Sequence, residues 1–249
     1  LALAQACGQQ LADPQVAAIV ITHGTDTLEE TAWFLQCVLP AGKPVVLTCA
    51  MRPASALSAD GPANLRDALA CAADGGALAW AQAGQPVLVV AAGEVHSAAA
   101  VRKAHAYQVH ALSSAPAGPV AWVEEGRLRW AQRLPQQVVV KNAVPLPPLP
   151  WPWVEVVTSH AGARAEGVDA LVAAGVRGLV VAGTGNGTVH AAWLPALQRA
   201  RAAGVPIVRT TRCAEGRIVQ APGQDDVEVV DLPPLKARIS LMLRCMSPS

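Results

Sequence analysis

The sequence predicts an α/β fold of two domains, each built around a mostly parallel sheet. Short runs rich in Val and Ile alternate with Ala-rich amphipathic stretches, a pattern typical of strands alternating with helices. The run Pro-Leu-Pro-Pro-Leu-Pro-Trp-Pro-Trp at 145–153 interrupts this alternation and holds too much proline for a helix or central strand. We therefore expect an N-terminal domain at 1–134, a stiff linker at 135–153 and a C-terminal domain at 154–249.

Strands in the first domain are predicted from β-branched runs that lie between turn signals. These runs cover 17–21, 44–48 and 87–91, and a hairpin at 120–123 and 128–130 closes the domain. Residues 75–93 lack charge over about the length of a bilayer span, but glutamines, glycines and a proline interrupt them. We interpret this stretch as a loop leading into a buried strand of a soluble protein.

Two helices of the first domain are predicted together with their caps. The helix at 28–38 is predicted to start with a capping box. Asp26 or Thr27 is the N-cap, and Glu29 or Glu30, three residues further on, completes the box. The helix at 64–73 is preceded by Asp60, Gly61 and Pro62, which fit an Asx cap followed by a first-turn proline.

The strand and helix alternation restarts after the proline-rich run. The second domain is predicted to hold strands at 154–158, 178–181 and 206–209, and helices at 167–174, 192–203 and 234–245.

Composition excludes several classes of protein. Because 52% of the residues are hydrophobic and the net charge is only +1, the chain is not intrinsically disordered. The same small charge, from scattered Lys and Arg, offers no basic face for nucleic acid. The cysteines are far apart and lack zinc-site spacing, so we expect free buried thiols of a reduced cytosolic protein, with one or two disulfides as the alternative. These are Cys7, Cys37, Cys49, Cys71, Cys213 and Cys245.

The most informative local pattern is Val-Ile-Thr-His-Gly-Thr-Asp-Thr-Leu-Glu-Glu at 20–30. A buried strand ends here and a helix begins, and open α/β sheets place ligands at this edge. A hydroxyl at this point can attack a carbonyl whose oxyanion the helix N–H groups stabilise. The alternative is that these residues merely start the helix.

A threonine at this edge needs a base, because its hydroxyl hardly ionises at pH 7. His23 is close to Thr25 in the sequence, but neighbours on an extended strand point to opposite sides, so His23 is not expected to act as the base. A lysine can serve instead, since burial lowers the pKa of an ammonium group. Lys103 lies in a weakly patterned segment that follows another strand, and composition alone favours a surface lysine.

Two further loops follow predicted strands. Ala50-Met51-Arg52-Pro53 begins a strand-to-helix connection that is long enough to be functional, with a purely structural loop held by Arg52 and Asp60 as the alternative. Gly-Thr-Gly-Asn-Gly-Thr at 183–188 has the wrong spacing for a dinucleotide site, so no nicotinamide cofactor is expected. It is either a glycine turn or a loop that presents Asn186 to a ligand.

Three segments carry a family resemblance. Ile-Thr-His-Gly-Thr-Asp-Thr-Leu-Glu-Glu at 21–30, Ala-Met-Arg-Pro with Ser-Ala-Asp-Gly-Pro-Ala-Asn-Leu at 50–65, and Gly-Thr-Gly-Asn-Gly at 183–187 resemble the bacterial-type L-asparaginase (asparaginase/glutaminase) family. The likeness runs in order along essentially the whole chain. It implies hydrolysis of asparagine, often glutamine too, through a threonine-linked acyl-enzyme without metal or organic cofactor.

The resemblance also implies roles for individual residues. Thr25 matches one of two catalytic threonines, Lys103 the lysine that assists, and Asp26 the carboxylate that holds the substrate's α-ammonium group. Gly24 belongs to the same substrate-binding segment, and Ala50 lies against the substrate amide. The likeness further implies that Asn186 reaches a neighbouring subunit's site, and hence a homodimer or homotetramer.

Two features depart from the family pattern. The family's other catalytic threonine lies in a Thr-Gly-Gly-Thr-Ile-like turn, and this sequence begins after it, so we expect an N-terminally truncated chain that aggregates or is inactive alone. The family's second-domain glutamate matches neither Glu215 nor Glu228 clearly.

The alternative function is a non-catalytic amino-acid-binding or regulatory protein, and a tRNA amidotransferase subunit is a third possible function. We expect a cytoplasmic location, with the periplasm as the alternative.

Overall fold

The structure, a computed structural model, describes residues 1–133, 146, 148–220 and 227–246. It divides into two compact units, Leu1–Leu146 and Pro147–Ser249. The predicted linker at 135–153 falls largely outside the described residues.

The first unit begins with a helix and continues as strands and helices in alternation. Its elements are α1 (Ala2–Ala12), β1 (Ile19–Thr22), α2 (Leu28–Val38), β2 (Val45–Thr48), α3 (Gly61–Ala72), α4 (Gly75–Gln82), β3 (Val87–Ala91), β4 (Glu94–Ser97), β5 (Arg102–Lys103), β6 (Leu112–Ser113), β7 (Ala121–Glu124) and β8 (Arg127–Trp130).

Within residues 1–133, six strands form one sheet in the order β1-β2-β3-β4-β7-β8. The pairs β1–β2 and β2–β3 are parallel, whereas every later pair is antiparallel. The sheet is therefore mixed, and the prediction of a mostly parallel sheet is wrong for this unit. For β3–β4 and β7–β8 the reason is that only two residues join the strands, which is enough for antiparallel neighbours but not for parallel ones.

Two turns of this kind close hairpins in the sheet. Glu125 and Gly126 have φ of 50° and 73°, and Ala92 and Gly93 have φ of 51° and 76°. Positive φ at both central positions is the geometry that matches the twist of a hairpin. The first hairpin was expected from its Glu-Gly signal. The second was not, because alanine rarely adopts a left-handed conformation.

The segment 75–86 contains a helix where a loop was predicted. Asp74 starts α4, since its Oδ1 accepts the Gly76 N–H at 2.7 Å and the Trp130 Nε1–H at 2.9 Å. Trp130 also stacks on Trp80, with ring centroids 5.8 Å apart. The loop prediction is wrong because this side-chain cap and the tryptophan pair stabilise a helix that lacks a charged face.

The second unit is a parallel α/β layer. Its elements are β9 (Val154–Thr158), α5 (Glu166–Ala173), β10 (Gly178–Gly183), α6 (Leu194–Ala202, after a 3-10 turn at Ala191–Trp193), β11 (Ile207–Thr211), β12 (Glu228–Val229) and α7 (Pro234–Met246). Among the described residues, four strands pair in parallel in the order β12-β11-β10-β9. The predicted parallel sheet is confirmed here, and only the short β12 escaped the sequence analysis.

Two expectations about the whole chain concern its apolar stretches and its thiols. No helix among the described residues is long and apolar enough to cross a bilayer. All six cysteines lie in described segments as free thiols, and Cys213 is exposed rather than buried.

Candidate active site

The predicted catalytic threonine lies at the carboxyl edge of the first sheet. The N–H of His23 donates to the carbonyl of Thr48 at 2.9 Å, so β1 and β2 stay paired just beyond the end of β1. Gly24 and Thr25 then leave the sheet and lead into α2. This is the edge at which open α/β sheets bind ligands, and Ala50 follows β2 at the same edge.

Lys103 brings an amine to the Thr25 hydroxyl. Lys103 Nζ lies 2.9 Å from Thr25 Oγ1 and 2.5 Å from Asp26 Oδ1. Its side chain is only 20% exposed, so it is not the surface lysine that composition favours. The structure therefore brings Thr25, Asp26 and Lys103 together in one hydrogen-bonded group.

Asp26 is the solvent-facing member of this group, with a side chain 90% exposed. The hydrogen bond from Lys103, and then the positive charge of Lys103, lower the pKa of the Asp26 carboxyl; a hydrogen bond with Thr25 adds a smaller effect. An exposed carboxylate that stays ionised is accessible to a cation arriving from solvent.

The lowered pKa predicts an acid-dependent contribution of the Lys103–Asp26 pair to stability. Because the pKa of Asp26 is depressed on folding, this contribution is complete above the ordinary carboxyl pKa of about 4 and is lost as pH falls through the depressed value. We expect the difference in Tm between the natural protein and Asp26→Asn to be constant from pH 7 to pH 5 and to shrink below about pH 4. A difference that does not vary with pH contradicts this assignment.

The contacts of the His23 ring argue against a role as the base. Its Nδ1 lies 2.7 Å from the Gly24 carbonyl oxygen, and its Nε2 lies 3.1 Å from Thr31 Oγ1. Both ring nitrogens are thus occupied by groups other than Thr25, in agreement with the expectation from the strand geometry.

Glu29 differs from its predicted role at the start of α2. In the part of the chain that the structure describes, Thr27 is the N-cap but its side chain makes no capping hydrogen bond. Glu29 Oε2 instead accepts the backbone N–H of Lys103 at 2.6 Å. The capping box is therefore wrong for the Thr27 side chain, and Glu29, three residues after the other candidate cap Asp26, binds a backbone N–H from a distant strand.

Asp60 likewise binds the backbone of a loop and does not cap its own helix through the side chain. Its Oδ2 accepts the Met51 N–H and its Oδ1 the Arg52 N–H, both at 2.9 Å. Within the described residues it precedes α3 without capping it through the side chain, so the predicted Asx cap is wrong. The Arg52 guanidinium donates to Ser58 Oγ. These contacts fix the loop that contains Ala50.

Asn64 joins the ends of two neighbouring strands. Its side-chain amide donates to the Cys49 carbonyl at 2.9 Å and its Oδ1 accepts the Ala92 N–H at 2.9 Å. It is 3% exposed, and its amide also donates to Asp60 Oδ2 at 3.2 Å. A buried side chain thus satisfies backbone groups after β2 and β3, which sets the shape of the sheet edge.

We expect Asn64→Ala to lower the free energy of unfolding by about 2–4 kcal/mol, because it removes the side-chain partner of the buried Cys49 C=O and of the partly buried Ala92 N–H. Urea denaturation of the natural protein and the variant measures this difference. Leu65→Ala on the same helix turn is the control, since Leu65 is 40% exposed and should change the value by less than about 1 kcal/mol. Equal losses in the two variants would count against the bridging role of Asn64.

Cys49 is a thiol next to this group, but it is not a nucleophile at neutral pH. Burial, and then the negative charge of Asp60, raise the pKa of Cys49 to about 11, against a smaller opposing effect of Lys103. The thiol is therefore protonated at pH 7.

No cluster of three or more His, Cys, Asp or Glu suited to a metal occurs among the described residues.

Asn186 lies in the second unit and is engaged within its own chain. Its amide donates to the Val219 carbonyl at 2.9 Å, and its Oδ1 accepts the Val219 N–H at 2.7 Å. The surrounding loop needs glycine, since a Cβ on Gly183 would lie 2.5 Å from the Gly187 carbonyl carbon. The motif is thus a tight glycine turn, and the Asn186 side chain binds the Val219 backbone of the same chain.

Each of the two units matches a known protein family. Residues 1–136 match the family "Asparaginase, N-terminal", and residues 153–247 match the "Glutaminase/Asparaginase C-terminal domain". The chain belongs to the asparaginase/glutaminase family.

Individual relatives support the same assignment to the asparaginase/glutaminase family. The chain is 39% identical over 248 residues to "Glutaminase-asparaginase" of Pseudomonas fluorescens biotype A, covering 94% of this chain and 65% of that protein. It is 36% identical over 230 residues to "Probable L-asparaginase periplasmic" of Haemophilus influenzae, covering 90% and 64%. A crystal structure of a probable cytoplasmic L-asparaginase from Campylobacter jejuni superposes with a TM-score of 0.85 at 32% identity, covering 99% of this chain and 76% of that one. The chain thus spans slightly less than two thirds of the length of the first two relatives.

Sequence reasoning missed part of what organises the site of this asparaginase-family chain. Glu29 was expected to cap a helix, and Asn64 appeared in a motif without any role. A β-hairpin, β5 with β6, carries Lys103, and β5 is too short to show a period. The only signals that could have found these residues were a carboxylate beside the threonine and a buried amide in the motif.

Proposed function

We propose that the natural protein containing this chain hydrolyses L-asparagine to L-aspartate and ammonia through a threonine-linked acyl-enzyme. The observation that carries the proposal is the 2.9 Å contact between Lys103 Nζ and Thr25 Oγ1 at the carboxyl edge of the sheet. The names of the relatives, which include asparaginases and glutaminase-asparaginases, support the same substrate class.

The chemistry requires two proton transfers that the pair can perform. A threonine hydroxyl attacks the side-chain amide carbon, the C–N bond breaks, and ammonia leaves with the proton taken from the attacking oxygen. Water then attacks the ester, loses a proton, and frees the threonine and aspartate. In this proposal Lys103 relays the proton in each attack from the attacking oxygen to the leaving group. Thr25 and Lys103 lie within the distance that direct transfer needs.

Substrate recognition follows from charge. An α-amino acid carries one positive and one negative group, so a carboxylate and a set of N–H donors fix its orientation. In this proposal Asp26 binds the α-ammonium group, Gly24 and Thr25 line the same end of the site, and Ala50 contacts the side-chain amide. Asn186 completes the site of a neighbouring subunit, which makes the protein a homodimer or homotetramer.

Ammonia release from asparagine, glutamine and succinamate tests the proposal. Succinamate is asparagine without its α-amino group, so it keeps the scissile amide and loses the partner of Asp26. We expect turnover of asparagine and a kcat/KM for succinamate at least about 100-fold lower, as for the loss of a charge-assisted contact. Tight binding of asparagine without ammonia release would instead support the amino-acid-binding alternative.

The same proposal places domain limits at 1–134 and 154–249, joined by the linker at 135–153. We also propose a cytoplasmic location, because a reducing compartment keeps thiols unpaired and all six cysteines of the described segments are free.

A further inference from the structure

We infer that Glu29 is a positioning residue that holds Lys103 where its amine reaches Thr25. This inference rests on the proposed function, since it concerns the lysine that moves the proton. Its observation is independent of that function: the carboxylate of Glu29 binds the backbone of Lys103, 74 positions further along the chain, at 2.6 Å.

Lys103 is thereby attached at two points to a single segment. Its N–H donates to Glu29, and its amine donates to Thr25 and Asp26 at 2.9 and 2.5 Å. All three acceptors belong to the short stretch that enters α2. The backbone and the amine of Lys103 are therefore both held by residues 25–29, at the start of α2.

The strand that carries Lys103 needs such an anchor. β5 contains only two residues, and its partner β6 is equally short, with Arg102 opposite Ser113 and Lys103 opposite Leu112. An isolated two-stranded ribbon of this kind is marginally stable in water. His96 on β4 anchors the far end of the ribbon, since its Nδ1 lies 2.7 Å from Ser114 Oγ. Glu29 anchors the end that carries the reacting amine.

The position of Glu29 favours this contact. Glu29 lies in the first turn of α2, where the helix dipole stabilises a negative charge. A hydrogen bond from an N–H to a carboxylate is shorter and stronger than one between neutral groups, as its 2.6 Å length indicates. A lysine side chain has many rotamers, so fixing its backbone reduces the number of positions that the amine can take.

We expect Glu29→Ala to lower kcat for asparagine by about 10–100-fold while KM changes less than about 3-fold, because misplacing a reacting group by about 1 Å costs up to about 100-fold. Glu29→Gln should recover most of this activity, since its amide oxygen can accept the same N–H. Glu29→Asp, one methylene shorter, should remain impaired and serves if the alanine variant does not fold. Glu30→Ala is the matched control, because it removes a carboxylate from the same helix turn and should keep kcat within about 3-fold.

Hydrogen exchange measured by mass spectrometry gives a readout besides activity. Peptides that contain Lys103 should exchange faster in Glu29→Ala and Glu29→Asp than in the natural protein, Glu29→Gln or Glu30→Ala. Natural kcat and unchanged exchange in Glu29→Ala would overturn the inference, as would a Gln variant as impaired as the Ala variant. A natural protein that hydrolyses neither asparagine nor glutamine would refute the proposed function, and the exchange comparison would still decide whether Glu29 holds Lys103.

Discussion

Thr25→Ala is expected to reduce kcat for asparagine hydrolysis at least about 1,000-fold, the effect typical of losing a group that takes part in proton transfer at the reacting centre. The substitution removes the hydroxyl that lies 2.9 Å from Lys103 Nζ and leaves the amine without an oxygen partner for the reaction. KM should change much less, because the carboxylate of Asp26 remains. Ammonia release under saturating asparagine measures the change.

Two companion variants separate chemistry from folding in this experiment. Thr25→Ser keeps the hydroxyl and should retain activity within about 30-fold. Thr27→Ala removes a hydroxyl two residues away that, in the described part of the chain, makes no capping bond, so kcat should stay near its natural value. Activity above about a tenth of the natural value in Thr25→Ala would refute the assignment of Thr25.

Lys103→Met should reduce kcat by about 100- to 10,000-fold, the range for loss of a general base. Methionine keeps the length and apolar stem of the side chain, so the effect reports on the amine alone. The variant also frees Asp26 from the hydrogen bond and charge that lower its pKa, and the pKa of this carboxyl should rise toward its ordinary value. A pH profile of kcat/KM with the variant and the natural protein detects both changes.

Lys43→Met is a matched control for the lysine experiment. Lys43 donates through Nζ to the carbonyls of Leu11 and Asp13 at 2.9 and 2.6 Å, contacts that hold the chain rather than a hydroxyl. We expect a lower Tm with kcat within about 2-fold of the natural value. If Lys103→Met behaved like Lys43→Met, Lys103 would be a structural lysine and the proton-transfer proposal would fail.

Both experiments test residues that the sequence had already marked, but for unequal reasons. Thr25 follows a short apolar run and precedes a helix, so its place at a sheet edge was readable from a local pattern, although β1 itself is only half-buried. Lys103 had no such pattern, since composition favoured a surface position and only the family resemblance pointed to it. The 20% exposure of its side chain and its contact with Thr25 come from the folded chain.

The fold shows the same division between local and distant causes. The helix at 28–38 and the strands at 87–91 and 154–158 were predicted at the residues where the structure has them, because each carries its own periodicity. The mixed character of the first sheet was missed. Whether a strand pairs parallel or antiparallel depends on the turn that joins it to its neighbour, and the Ala92–Gly93 turn carries no sequence signal.

The amino-acid sequence alone determined the strands and helices that carry their own periodicity, such as those at 28–38, 87–91 and 154–158, and that a hydroxyl and a carboxylate stand where a strand ends. Only the tertiary structure decided which partners the polar side chains take: Glu29 binds the Lys103 backbone, and Asp60 binds the Met51–Arg52 backbone without capping α3 through its side chain. The reason is physical. A periodic pattern reports how a residue faces its own turn or pleat, whereas a hydrogen bond across 74 or 78 positions forms only after the sheet has brought the two segments together.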